Sequence, residues 1–124
     1  MRVEIPCRKR KLVAQLIDPD RAGEAALALA VRYAAEAGVD LFLAGGSLTN
    51  VPVEDVIMRL KQLSSIPVVL FPGNLTQLTA SADAVFLLSM ISGRNPELLI
   101  GNHVIAAPLL SRMRERVIPI GYML

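Results

Sequence analysis

The chain has 124 residues, 53% of them hydrophobic and only 4% aromatic, so its apolar mass is Leu, Ile, Val and Ala, and mean hydropathy reaches +0.49. Lys and Arg number 13 against 11 Asp and Glu, a net charge of +2 that argues against a nucleic-acid protein and fits one cored domain over residues 1–124. One cysteine, Cys7, excludes an internal disulfide, and no run of about 18 apolar residues is present to form a transmembrane helix, so a reducing cytoplasmic location is expected.

The concentrated charge Arg8-Lys9-Arg10-Lys11 lacks interleaved aromatics and reads as a solvated lead-in. The apolar run behind it is too short for a signal peptide and stops at Asp18-Pro19-Asp20. Strand one is residues 12–17. An Ala-rich helix follows over about residues 21–37, with Leu27, Val31 and Ala34 on one face and Gly38 as its stop. Strand two, residues 40–44, ends at Gly45-Gly46-Ser47. The next helix starts near Pro52, with Glu54 and Asp55 in its first turn and Lys61 in its last. Strand three, residues 66–71, ends at Pro72-Gly73-Asn74, and a short turn over residues 74–79 leads to strand four, residues 83–88, which ends at Ser89. A long helix over residues 96–116 has Asn95 as its cap and Pro108 as an internal kink or break. Strand five, residues 117–121, reaches Tyr122.

Strand alternating with helix is the pattern of an α/β protein with a parallel sheet. Two architectures use this order. One is an open flavodoxin-like sheet, favoured by length. The other is the first half of a (β/α)8 TIM barrel, which takes about 250 residues when complete. The strands all end in small, polar or acidic residues, so one functional rim is expected at their carboxyl ends.

That rim carries neither an acidic receiver pocket nor a phosphate loop. Asp18-Pro19-Asp20 would repel phosphate unless a cation intervened. Asp18 on one strand end and the Ser47 hydroxyl on the next suit Mg²⁺, which takes one or two protein oxygens and keeps waters and substrate phosphates. Gly45 and Gly46 would let a diphosphate approach the backbone. Equally, Asp18 reads as a helix cap with Pro19 behind it, and Asp20 as a second cap or a surface charge. His103 reads as a packed or solvated helix residue, Asn74 as a turn former and Tyr122 as a pocket wall.

Taken together, Leu16-Ile17-Asp18-Pro19-Asp20, Gly45-Gly46-Ser47, Phe71-Pro72-Gly73-Asn74, Ser89-Met90-Ile91-Ser92-Gly93-Arg94-Asn95-Pro96 and Ile118-Pro119-Ile120-Gly121-Tyr122 resemble the geranylgeranylglyceryl phosphate synthase family. The blocks run in family order across nearly the whole chain. The resemblance implies a TIM barrel. It implies Mg²⁺-dependent transfer of a geranylgeranyl or similar polyprenyl group from its diphosphate to the 3-hydroxyl of sn-glycerol 1-phosphate, in ether-lipid synthesis. The family's metal ligands fall on Asp18 and Ser47. Gly45, Gly46, Asn74 and Tyr122 fall on the substrate side. Residues 91–110 fall on the prenyl groove, with Leu98, Leu99, Ile100, Val104 and Ile105 suited to the tail.

Leu16 stands where some relatives carry Lys. The catalytic Glu and the glycerol phosphate loops are expected beyond Leu124, so the chain reads as a truncated half of a family member. Its open inner face and unpaired edge strands point to a homo-oligomer. A diphosphate- or prenyl-binding half barrel without turnover, and an unrelated scaffold domain, are the other readings open at this point.

Overall fold

The apolar runs form strands because branched aliphatic side chains pack on both faces of a pleated ribbon. The computed structural model describes residues 10–113 and 116–124, and Cys7, Arg8 and Lys9 lie outside them. Five strands follow in chain order: β1 (Ala14–Ile17), β2 (Leu41–Ala44), β3 (Val68–Leu70), β4 (Ala84–Met90) and β5 (Val117–Tyr122). Helix α1 (Glu24–Ala37) joins β1 to β2, α2 (Val53–Leu63) joins β2 to β3, and α3 (Asn102–Ser111) precedes β5. A 3-10 turn, Leu75–Gln77, lies between β3 and β4.

All four strand pairings are parallel, and the order in the sheet is β1-β2-β3-β4-β5. That order removes the open flavodoxin-like alternative, in which the first strand would sit inside the sheet between the second and third. Each strand here is added to the same side of its predecessor, as in the first five strands of a (β/α)8 barrel. All five carboxyl ends therefore share one rim.

The outer face of the sheet packs Phe42, Ala44, Val68, Leu70 and Val85 against Leu27 and Ala34 of α1 and Val53, Val56, Ile57 and Leu60 of α2. The spacing of the four α2 residues puts them on one stripe facing the sheet. The inner face buries Leu41, Val69 and Ala84, with Leu43, Phe86 and Ile118 packed on them. Leu16 on β1 is 55% exposed, because β1 has a neighbour on one side only.

Two helices differ from the sequence reading. α1 begins at Glu24, since Asp18 caps a separate 3-10 turn, Pro19–Arg21, before it. Gly38 ends α1 in the left-handed region, at φ +69°, as expected. Pro108 does not divide the last helix. α3 runs through it to Ser111, and the carbonyl that Pro108 leaves unpaired belongs to solvent-exposed Val104. The irregularity comes earlier, as a π-helical turn over Glu97–Gly101, just after the Asn95 side chain accepts the Glu97 N–H at 3.0 Å.

At the amino ends of the strands, carboxylates are fully partnered. Asp40 accepts the Val13 N–H at 2.8 Å and pairs with Arg10. Asp83 accepts the Val68 N–H at 2.9 Å and pairs with Lys61 at 3.0 Å. Hydrogen bonds from Arg10 and then from the Val13 N–H hold the Asp40 carboxyl below its ordinary value. A depressed pKa contributes stability that is complete above the unfolded-state value and lost as pH falls through the folded one. D40N should therefore melt below the parent at neutral pH. The gap should close in acid below the ordinary carboxylate range, as read by thermal melts over a pH series.

Candidate functional site

Ile17 and Ala44 are register partners, and the Gly45 N–H still donates to the Ile17 carbonyl at 3.2 Å, so Asp18 and the Gly45-Gly46-Ser47 turn leave the sheet side by side. Asp18 Oδ1 accepts the Asp20 N–H at 3.0 Å, which is the capping role read from the sequence. Its other oxygen makes no hydrogen bond among the described residues. A Cβ on Gly46 would lie 3.5 Å from Asp18 Oδ1, so the carboxylate lies against the Gly46 backbone, one residue from the exposed Ser47. Asp20 has a different task. It accepts the N–H groups of Asn50 at 2.8 Å and Val51 at 2.9 Å, and so holds the loop that leads into α2.

The glycines are demanded first by the meeting of two loops. A Cβ on Gly45 would stand 1.9 Å from the Phe71 carbonyl oxygen, and one on Gly73 would stand 1.9 Å from the Gly46 carbonyl oxygen. Gln77 bridges the same loops: its amide nitrogen donates to the Gly46 carbonyl, and its oxygen accepts the Gly73 N–H at 3.0 Å. Asn74 donates to the Ser47 carbonyl at 3.2 Å and accepts the Thr76 N–H at 2.9 Å, so its side chain is committed to loop geometry.

A cavity of about 410 Å³ opens beside these loops. Gly45, Gly46, Ser47, Asn74 and Tyr122 line it, whereas Asp18 lies outside its lining, behind the Gly46 backbone, and lines a second cavity with Ile17, Arg21 and Leu27. Its walls are mostly apolar. Phe71 stands edge-on to Phe86 at 5.9 Å and to Tyr122 at 5.4 Å. Of the five side chains assigned to a tail groove, Leu98 alone lines the cavity. Asn102, His103, Ala106 and Leu110 are the α3 residues that line it, which turns Val104 and Ile105 out to 67% exposure each. His103 Nε2 bonds the Leu88 carbonyl, so the histidine is a packed residue that also lines the cavity. Glu97, which the sequence did not single out, lines it too.

Among the described residues, no three His, Cys, Asp or Glu side chains cluster into a metal cage. The donor set at the rim nonetheless fits Mg²⁺. Asp18 has one unengaged oxygen and no ion pair among the described residues, and the Ser47 hydroxyl likewise makes no protein hydrogen bond there. A hard cation that retains waters and phosphate oxygens needs no more from the protein.

The model of the PcrB family matches residues 6–124. The chain belongs to the PcrB family. The geranylgeranylglyceryl phosphate synthase of Spirosoma linguale is 49% identical over 115 residues, covering 92% of this chain and 46% of that protein. The synthase of the same name from Chitinophaga pinensis is 47% identical over 116 residues, with the same shares covered. The crystal structure of (S)-3-O-geranylgeranylglyceryl phosphate synthase from Thermoplasma acidophilum, in complex with substrate sn-glycerol-1-phosphate, superposes with a TM-score of 0.82 at 30% identity, over 94% of this chain and 48% of that one. The PcrB-family chain thus spans about half the length of the curated relatives it matches.

The loop contacts rank the glycines. G45A and G73A each force backbone away from backbone and should cost about 2 kcal/mol or more. In G46A the new methyl meets the Thr49 methyl at 3.2 Å, a side chain that can shift, so the loss should be much smaller. Urea unfolding of the three variants reads that order.

Proposed function

We propose that this chain supplies the metal-and-diphosphate side, and part of the tail pocket, of a prenyltransferase. The enzyme joins geranylgeranyl or a similar polyprenyl diphosphate to the 3-hydroxyl of sn-glycerol 1-phosphate in ether-lipid synthesis. The single observation behind this reading is the Asp18 carboxylate against the Gly46 backbone, with one oxygen that makes no hydrogen bond among the described residues, next to the loop that lines an apolar cavity. Similarity to synthases that carry this name supports it, as does a neighbouring structure that binds sn-glycerol-1-phosphate.

Asp18 and Ser47 would hold Mg²⁺, which when bound supplies positive charge against the diphosphate leaving group. The side chains around them have separate tasks. Phe71, Phe86 and Tyr122 give the allylic end of the substrate an apolar wall that keeps water away. Leu98, Ala106 and Leu110 continue that wall along the tail. Asn74 and Asp20 hold the loop on either side of Ser47 and leave its hydroxyl free to bind. No helix among the described residues is long and apolar enough to cross a membrane. Our reading has the enzyme as a cytoplasmic homo-oligomer.

Thermal melts with Mg²⁺ and geranylgeranyl diphosphate test the reading. A ligand at a hundredfold excess over its Kd stabilises by about 2.7 kcal/mol. D18N keeps an oxygen to accept the Asp20 N–H but removes the charge, so its ligand-free melt should stay close to the parent while the Mg²⁺-dependent shift disappears. An undiminished shift would reduce Asp18 to a cap. Incorporation of labelled glycerol phosphate then separates catalysis from binding alone.

A further inference from the structure

Gln77 is 5% exposed and is the one buried polar side chain among the described residues. The β2–β3 ladder explains its use. Phe42 N–H donates to the Pro67 carbonyl and Phe71 N–H to the Ala44 carbonyl, each at 2.8 Å. Continued by one step, a parallel ladder would send the Gly46 N–H to the Phe71 carbonyl and the Gly73 N–H to the Gly46 carbonyl. Neither bond forms, and the Phe71 oxygen lies 1.9 Å from the place a Gly45 Cβ would take. The Gln77 amide takes both places. Its oxygen receives the Gly73 N–H at 3.0 Å and the Gly46 N–H at 3.4 Å, and its nitrogen donates to the Gly46 carbonyl.

We infer that Gln77 is a positioning residue for the metal–diphosphate site: as a side-chain rung it holds the Gly46 peptide, and through it Ser47, in register with the Asp18 carboxylate. The inference rests on the functional reading above and adds to it a residue that touches neither metal nor substrate. Its neighbours have other duties, since Asn74 ties the Ser47 carbonyl and Asp20 the Asn50 and Val51 amides.

Amide hydrogen exchange of the full 124-residue chain, with calorimetric titration of inorganic pyrophosphate in Mg²⁺, tests this. In Q77M the Gly46 and Gly73 amides should exchange at least about tenfold faster while those of Asn50 and Val51 keep their protection, and pyrophosphate affinity should fall about ten- to a hundredfold. In Q77E a protonated carboxyl retains one donor and one acceptor. Its affinity relative to the parent should therefore recover as pH falls, whereas the Q77M ratio stays flat, and should Q77M not fold, Q77E in acid and at neutral pH supplies the comparison. Unchanged Gly46 and Gly73 protection overturns the inference, as does lost protection with intact affinity or a flat Q77E profile. A parent with protected amides but no Mg²⁺-dependent pyrophosphate binding overturns the metal reading, and the inference with it.

Discussion

The loops after β2 and β3 meet backbone to backbone at their glycines. Gly45 packs on the Phe71 carbonyl and Gly73 on the Gly46 carbonyl, at separations that any Cβ would violate. Two peptide surfaces brought this close must also satisfy each other's polar groups, because burying an unpaired N–H or carbonyl costs as much as a lost hydrogen bond. The sheet ladder cannot do it beyond Phe71, so the Gln77 amide does. The position of Ser47, the mouth of the cavity and the contact between Asp18 and Gly46 all follow from that junction.

The two ends of the sheet treat carboxylates in opposite ways. At the amino end, Asp40 and Asp83 each accept a strand N–H and each face a cation, Arg10 or Lys61. They close off the start of a strand and have no capacity to spare. At the carboxyl end, Asp20 is spent on the N–H groups of Asn50 and Val51, while Asp18 gives one oxygen to a cap and keeps the other. A half-buried carboxylate with no ion pair among the described residues, set on the rim where barrels keep their chemistry, differs from its structural counterparts by that unspent oxygen.

The strands were legible because buried parallel strands read as unbroken aliphatic runs, and their common endings in Asp, Gly, Pro and Ser located the rim. Helix α2 was legible for the same reason, as a stripe with acidic residues in its first turn. The sheet order was not, since alternation of strand and helix is shared by open and closed sheets, and only pairing separates them. Gln77 escaped notice because a neutral residue in a polar turn carries no periodicity, and its partners lie 31 residues away at Gly46. The tail groove was assigned from the family resemblance, and its side chains were picked by their apolar character. That could not tell Leu98, which faces the cavity, from Val104 and Ile105, because the π turn and the α3 faces decide which side chains point inward.

The polar groups of the rim also constrain what can bind there. Gln77, Asn74 and Asp20 have their hydrogen-bonding capacity taken up by loop backbone, and His103 holds the Leu88 carbonyl. A ligand at the mouth therefore meets the Ser47 hydroxyl and Glu97, with the Asp18 carboxylate behind the Gly46 backbone, and a wall of Phe71, Phe86, Leu98 and Tyr122. A wholly polar ligand would leave the aromatic wall wet, and a wholly apolar one would bury nothing against the carboxylate. On the proposed function, a molecule with an anionic head that carries its own divalent cation and a long hydrocarbon tail would use both surfaces at once. The cation would offset the repulsion between Asp18 and the head, while burial of the tail would contribute about 0.8 kcal/mol for each methylene removed from water. On the proposed function, the same division accounts for a buried amide at the loop junction: atoms that bind a head group would sit on turns and need a fixed frame, whereas a tail needs only a dry surface.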